Sequence, residues 1–305
     1  MRSNTTVCAV IPTRNRCQLV QRAVRSALAQ DYADLEVVVV IDGPDGATEE
    51  VLAEISDDRL RVLGLPRQVG AARARNLGVA AARADWIAFL DDDDEWFREK
   101  TTLQMREALN SRYRYPIVSS RLIARNSQYD LVWPRSLPSK PLSEYLLSRK
   151  GWSYGEGLLS TTTLLFPKDL YRQVPFQADL ARHQDLEWVL RATEHAGAGL
   201  EFVPEPLAVW NLAEQRKSIS TSADWRSSFR WLESVREMIT RRAYAGFIAT
   251  YLAPQASRQR AWRDFPFLVK RLIADGAPSA HDILLFLGMW LVPPGARRWI
   301  RQEGR

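Results

Sequence analysis

Two kinds of hydrophobic patterning alternate along the first 120 residues. Four largely continuous apolar runs, VCAVI (7–11), LEVVVVI (35–41), LRVLGL (60–65, the weakest) and WIAFL (86–90), have the length of strands. Between them, apolar positions recur at helical spacing. Residues 16–29 set Leu19, Val20, Ala23, Val24, Ala27 and Leu28 on one face, 47–56 form a short helix, and 70–83 an alanine-rich one. Continuous rather than alternating strands, each followed by a helix, predict an α/β fold with a parallel sheet covered on both faces. Such sheets bind ligands beyond the carboxyl ends of their strands. The residues just after each run are therefore the candidates for chemistry.

The pattern then changes. Residues 121–200 are irregular, punctuated by Pro134, Pro138, Pro141, Gly151, Gly155 and Gly157. They contain one strand-like run, TTTLLF (161–166), and a helix from about 184 to 195. Beyond residue 222 the spacing is mainly helical, and no internal repeat is evident. The expected organisation is 1–120, 121–222 and a helical C-terminal extension, 223–305.

Composition narrows the class. With 46% hydrophobic and 26% charged residues in 305, a sizeable core is available and disorder is not expected. Two cysteines, Cys8 and Cys17, argue against a disulfide framework or a structural zinc site, and Cys8 reads as a small core residue. Five apolar residues before Pro12 are too few for a signal peptide. No run approaches the roughly 18 apolar residues of a spanning helix. A reducing, cytoplasmic setting is expected. From Pro254 onward nine Lys/Arg face four acids, so the tail carries about +5 of the net +6. Its run ILLFLGMWLVPPGARRWIRQ (283–302) has two readings: peripheral attachment to an anionic membrane surface, or a terminal helix packed on the domain with solvated arginines. Nucleic acid is not an expected partner.

PTRNR (12–16) follows the first strand, DGPDG (42–46) the second, RQVGAARARNLG (67–78) the third and DDDDEW (91–96) the fourth. Four adjacent carboxylates repel one another and raise each other's pKa values. With FPKDLYRQVPFQADLARHQDLEWVLRA (166–192), these segments resemble the inverting glycosyltransferases of family 2. The resemblance covers residues 7–120 and 166–192 and leaves the tail outside. It implies a GT-A fold, a Rossmann-like mostly parallel sheet that binds nucleotide-diphospho-sugars. Residues 1–120 would then hold the donor and 121–222 the acceptor. It further implies a metal-dependent transfer of a hexosyl or deoxyhexosyl group from a nucleoside diphosphate sugar to a hydroxyl of a glycan or glycolipid, in cell-surface polysaccharide biosynthesis.

The resemblance also implies roles. Asp93 would be the principal ligand of Mg²⁺ or Mn²⁺, and Asp91 a contact to the metal or the donor ribose. Asp92 would lie on the donor side, and Asp92 or Asp94 could instead cap the next helix. A cation against the diphosphate stabilises the leaving group and relieves the carboxylate repulsion, so the loop is expected to be held loosely without it. Asp42 would contact the base or ribose, with Pro12, Thr13 and Arg14 in the same pocket. Where the family often has two adjacent acids, Ile41 replaces the first. Arg75 and Asn76 match an Ala-Arg-Asn element at the nucleotide end, and Arg73 reads equally well as a surface arginine. Asp185 would be the general base, or a helix cap, with Gln184 where the family has Glu. In VWNLAEQRKSIS (209–220), Asn211 stands where a metal-binding His is often found, and Arg216 and Lys217 could approach the diphosphate. Trp96, Trp152 and Trp210 are candidates for stacking on sugar; His183 and His195 receive no metal role.

Other readings are open at this point. A nucleotide-sugar-binding protein without catalysis is motivated by Ile41, Gln184 and Asn211. A haloacid-dehalogenase-like phosphatase also places D-x-D after a strand, but Glu95 stands where that family wants Thr or Val. A nicotinamide dehydrogenase would need a glycine-rich turn where PTRNR stands, and an EF-hand would need glycine at Trp96.

Overall fold

The computed structural model describes residues 5–126, 129–149, 151, 157–180, 182–212 and 224–292. The chain divides into two compact units, Met1–Trp133 with Leu159–Gln215, and Pro134–Leu158 with Arg216–Arg305.

The first unit contains β1 (Val7–Thr13), α1 (Cys17–Leu28), β2 (Leu35–Ile41), α2 (Gly46–Ala53), β3 (Leu60–Gly64), α3 (Ala71–Ala81), β4 (Trp86–Phe89), β5 (Glu95–Trp96) and α4 (Lys100–Asn110). There follow β6 (Tyr115–Arg125), β7 (Asp130–Trp133), β8 (Leu165–Pro167), α5 (Lys168–Gln173), α6 (Gln184–Thr193) and β9 (Ala198–Asn211). One sheet runs β3-β2-β1-β4-β8-β6-β9-β5, with β7 also paired to β6. The four strands expected from the apolar runs are the parallel set β3-β2-β1-β4, with Val7 opposite both Leu35 and Trp86. β8 joins antiparallel to β4 and β6, and β6 pairs parallel with β9. Every residue of β1 is buried, as continuous apolar strands between two helical layers require.

Helix α3 lies unusually close to this sheet. A Cβ on Gly78 would stand 2.4 Å from Val10 Cγ1 and 3.1 Å from Val40 Cγ2, so only glycine lets the helix seat there. That seating fixes the height of Arg75, one turn earlier, above the strand ends.

Local pattern does not reveal β6 and β9, nor the true start of β8. β6 carries Ser119, Ser120 and Arg121, and β9 carries Pro204, Glu205 and Pro206, so neither shows a clean apolar period. Their pairing itself slips register between Ser120 and Ile123. In TTTLLF, Thr161–Thr163 form a 3-10 turn and only 165–167 form strand. The expected helix at 184–195 is present as α6.

The second unit is helical, with helices at Leu142–Leu147, Trp225–Ser234, Arg241–Phe247, Ala253–Arg258, Phe265–Lys270 and Ala280–Leu291 joined by short 3-10 and π turns. The last begins with a capping box, Ser279 accepting from the Asp282 amide while Asp282 accepts from that of Ser279. It buries Leu285, Phe286 and Trp290, so the apolar part of the C-terminal run packs on its own unit. On the other side Leu284 and Leu291, two turns apart, are 57% and 70% exposed. Among the described residues no helix is long and apolar enough to cross a membrane.

Candidate active site

The segments singled out after β1, β2, β3 and β4 meet at one edge of the first unit's sheet. Thr13 ends β1, and its carbonyl accepts from the Asp42 amide at 2.9 Å while its hydroxyl donates to Asp92 Oδ2 at 2.8 Å. Pro12 is buried in the strand, whereas Arg14 is exposed. Asn15 turns the chain with φ 52° and donates its amide to Asp45, the N-cap of α2. The Asp42 carboxylate is 6% exposed and accepts from two backbone amides, Val69 at 2.6 Å and Gly70 at 3.0 Å. It therefore ties the 67–70 turn to β2, using one acceptor position on each oxygen and leaving the others for a ligand.

Three of the four aspartates after β4 are buried and bonded within the turn. Asp92, Asp93 and Asp94 are 6%, 4% and 1% exposed. Arg16 Nη1 spans two of them, 2.8 Å from Asp92 Oδ1 and 2.9 Å from Asp93 Oδ2. Arg22 donates to the Asp93 carbonyl at 2.9 Å and pairs with Glu95 at 3.2 Å. Asp94 accepts from the Thr162 hydroxyl at 2.8 Å and from the Asn211 amide at 3.3 Å. Internal arginines supply the counter-charge. Even so, burial pushes the Asp92 carboxyl above its ordinary value against the pull of Arg16 and Thr13, and pushes Asp94 well above it, with Asp91 and Asp93 adding to the rise.

Thr162 is a site residue that no motif in the sequence marks. Its hydroxyl also accepts from the Asp91 amide at 3.1 Å, and its carbonyl accepts from Trp96 Nε1 at 2.9 Å. One residue thus positions both ends of the aspartate turn. Asn211 does related work, donating Nδ2 to the Asp93 carbonyl at 2.9 Å.

Arg75 joins the aspartate turn to α6. It is 8% exposed, with Nη2 at 2.5 Å from Asp91 Oδ1 and Nη1 at 3.1 Å from Gln184 Oε1. Its guanidinium carbon lies 5.9 Å from the Phe89 ring centroid and 5.8 Å from that of Phe176, close enough for a cation–π attraction. Gln184 opens α6 and donates back to the Leu180 carbonyl. Asp185 follows it, half-buried, accepting from the Leu186 amide at 2.9 Å. Burial raises the Asp185 carboxyl above its ordinary value; the Leu186 amide opposes this, the Asp91 charge adds to it and Arg75 opposes it. Asp91, Arg75, Gln184 and Asp185 therefore share one field.

Other candidates lie elsewhere in function. Asn76 faces inward, bonded to the Phe176 carbonyl and to Tyr171 Oη, rather than toward a ligand pocket. Arg73 pairs with Asp179 at the surface. Trp96 is 5% exposed and its ring is covered by Lys100 Nζ at 4.1 Å, so its faces are not presented to sugar. Lys100 is itself fully buried and bonded to Gln104, and burial pulls its pKa from 10.5 to about 7. Trp210 stands edge-on to Trp133 at 5.8 Å and remains partly exposed. His183 adopts φ 59° before α6, with burial pulling its pKa to about 3. His195 contacts Tyr115 and Gln173 instead. Trp152, Arg216, Lys217 and the basic segment 293–305 lie outside the described residues.

Among the described residues no three carboxylate, imidazole or thiolate groups stand together so as to hold a metal alone. The available donors are carboxylate oxygens, with the Asp91 side chain 32% exposed beside the buried Asp93. Hard oxygen donors in small number suit Mg²⁺ or Mn²⁺, which bind through one or two carboxylates and complete their shell with substrate phosphates. The residues fit such an ion.

A mixed, mostly parallel sheet with acidic and basic groups gathered at its strand ends defines a GT-A nucleotide-diphospho-sugar transferase fold. The family model for glycosyl transferase family 2 matches residues 8–174. The chain belongs to that family and is a glycosyltransferase. It is 27% identical over 244 residues to the amylovoran biosynthesis glycosyltransferase AmsB of Erwinia amylovora, covering 76% of this chain and 78% of that protein. Over 121 residues, 40% of this chain and 48% of the relative, it is 31% identical to the Escherichia coli UDP-Glc:alpha-D-GlcNAc-diphosphoundecaprenol beta-1,3-glucosyltransferase WfgD. The crystal structure of S. aureus TarS 1–349 in complex with UDP-GlcNAc superposes with a TM-score of 0.58 at 16% identity, over 93% of this chain and 79% of that one. That likeness speaks for the fold.

Proposed function

We propose that this enzyme is an inverting, metal-dependent transferase that moves a sugar from a nucleoside diphosphate sugar to an acceptor hydroxyl in polysaccharide biosynthesis. The observation that carries the reading is Arg75, whose guanidinium bonds both Asp91 of the aspartate turn and Gln184 beside Asp185. It draws the donor-side carboxylates and the candidate base into one site. The names of the relatives, polysaccharide enzymes among them, support the pathway class, and UDP-sugars are the first donors to try.

In this reading Asp42, Thr13 and Arg14 frame the nucleotide, and Trp210 lies toward the acceptor side. Asp185 takes the acceptor proton. The freed oxygen attacks the anomeric carbon as the bond from that carbon to the diphosphate breaks, which inverts the centre. A divalent ion held by Asp91 and Asp93 would supply positive charge for the departing diphosphate. A panel of nucleoside diphosphates and their sugars, with and without Mn²⁺, tests this by thermal stabilisation. One donor class should add about 2.7 kcal/mol near 100 times its Kd, and only with the metal. No stabilisation by any member would remove the reading.

Attachment to an anionic membrane surface is part of the same proposal. Deleting residues 281–305 would not test it cleanly, because Phe286 and Trp290 belong to the helical core. The exposed Leu284 and Leu291 offer a better probe. L284Q with L291Q should abolish co-flotation with phosphatidylglycerol vesicles while preserving Tm; a wild type that does not float would argue for a packed helix only, and undiminished flotation of the variant would remove these two leucines from the attachment.

A further inference from the structure

Arg16 has no role in the reading above, yet one of its nitrogens contacts the carboxylates of both Asp92 and Asp93. It sits on the residue just before α1, with its side chain 35% exposed. The same nitrogen, Nη1, reaches Asp92 Oδ1 at 2.8 Å and Asp93 Oδ2 at 2.9 Å, whose side chains are 8% and 6% exposed. Burial would lower the guanidinium's pKa, but Asp92 first, then Asp93 and Asp91, raise it overall.

We propose that Arg16 is a resident counter-cation of the Asp92–Asp93 pair, and that it and a divalent ion exclude one another there. The inference rests on Asp93 being a metal ligand. Two positive groups cannot both approach one buried carboxylate closely without strong repulsion. Asp93 Oδ2 spends one lone pair on Arg16, so a divalent ion ligating that oxygen through its other lone pair would stand beside the guanidinium, and charge repulsion then drives the arginine to withdraw. Arg16 has somewhere to go, since its partial exposure places the head group at the solvent boundary. The arrangement accounts for how adjacent aspartates can be packed and buried in one turn. It also makes metal binding an exchange of cations rather than the filling of a bare anionic pocket.

Mn²⁺ binding to the full-length protein, by isothermal titration calorimetry and by loss of the free-ion electron paramagnetic resonance signal, tests the exchange without any turnover. Arg16→Gln should tighten Mn²⁺ binding by at least about ten-fold, because the competing charge is gone. Arg22→Gln removes an equal charge, which bonds the Asp93 carbonyl and pairs with Glu95. It should tighten Mn²⁺ binding much less. Equal tightening in both variants would mean a general field effect and would overturn the proposal, as would unchanged or weaker binding in Arg16→Gln. Arg16→Lys keeps the charge and should stay near wild type, which guards against a folding artefact in the glutamine variant. If wild type takes up no Mn²⁺ even with UDP present, the metal-dependent reading fails and the exchange falls with it. If wild type binds Mn²⁺ and Arg16→Gln binds no better, only the exchange fails.

Discussion

Asp185→Asn should lower turnover by about 10²–10⁴-fold while donor binding persists, the range typical of a lost general base. The amide keeps the size of the carboxylate and can still accept from the Leu186 amide. It cannot take a proton. Steady-state rates beside calorimetric donor binding measure the split. A variant that turns over normally would remove Asp185 from the chemistry, and one that loses donor binding would make it a binding residue. A second consequence is opposite in sign. The folded pKa of Asp185 is raised above 3.8, chiefly by burial. Between those values the folded state holds a proton that the unfolded chain releases, so stability falls as pH rises through the window. At neutral pH the charge is therefore a cost, moderated by the partial exposure of the side chain, and Asp185→Asn should melt at a slightly higher temperature than wild type. Below the unfolded value the two should converge. The N-cap of α6 is His183, so the alternative reading of Asp185 as a helix cap falls, and a candidate base whose removal stabilises the fold is held for function.

The second large effect is expected at Arg75. Arg75→Met fills much of the same volume but removes the bonds to Asp91 and Gln184. It should cost roughly 1–3 kcal/mol of stability, since Asp91 is exposed enough to regain water. The loss in kcat/KM should be larger, about 10²-fold, because the aspartate turn and the start of α6 would no longer share a fixed point. Arg75→Lys discriminates further. One ammonium has no planar fork with which to hold the Asp91 carboxylate and the Gln184 amide at once. It should recover more of the stability than of the activity. Denaturant unfolding beside donor-saturation kinetics would show this, and equal losses in both would reduce Arg75 to a structural ion pair.

Much of this site is legible in the order of residues alone. The turns PTRNR, DG and DDDDE stand at strand ends because the strands ahead of them are unbroken apolar runs, and topology then requires those ends to face a ligand. Asp42, Arg75, Asp91 and Asp185 all follow from their positions relative to such runs and to the family's motifs. The hidden residues have no local signature. Thr162 lies in a run that resembles plain strand but opens with a 3-10 turn. Lys100, which no sequence pattern singles out, is buried over Trp96. Trp96 reads as a sugar platform for the same reason. The contact that covers it lies one turn ahead in α4 and depends on how that helix seats.

By itself the sequence determined the parallel half of the sheet, the order of its motifs and the helical character of the C-terminal part. These follow from periodicities set by near neighbours along the chain. Only the tertiary structure decided how the acidic turn is neutralised. The Arg16–Asp92 and Arg16–Asp93 pairs span 76 and 77 residues, and Asn211 reaches the turn from 117 residues away. Which charges meet across such distances depends on strand order and on the close seating of helices such as α3 on Gly78, and no local pattern encodes either.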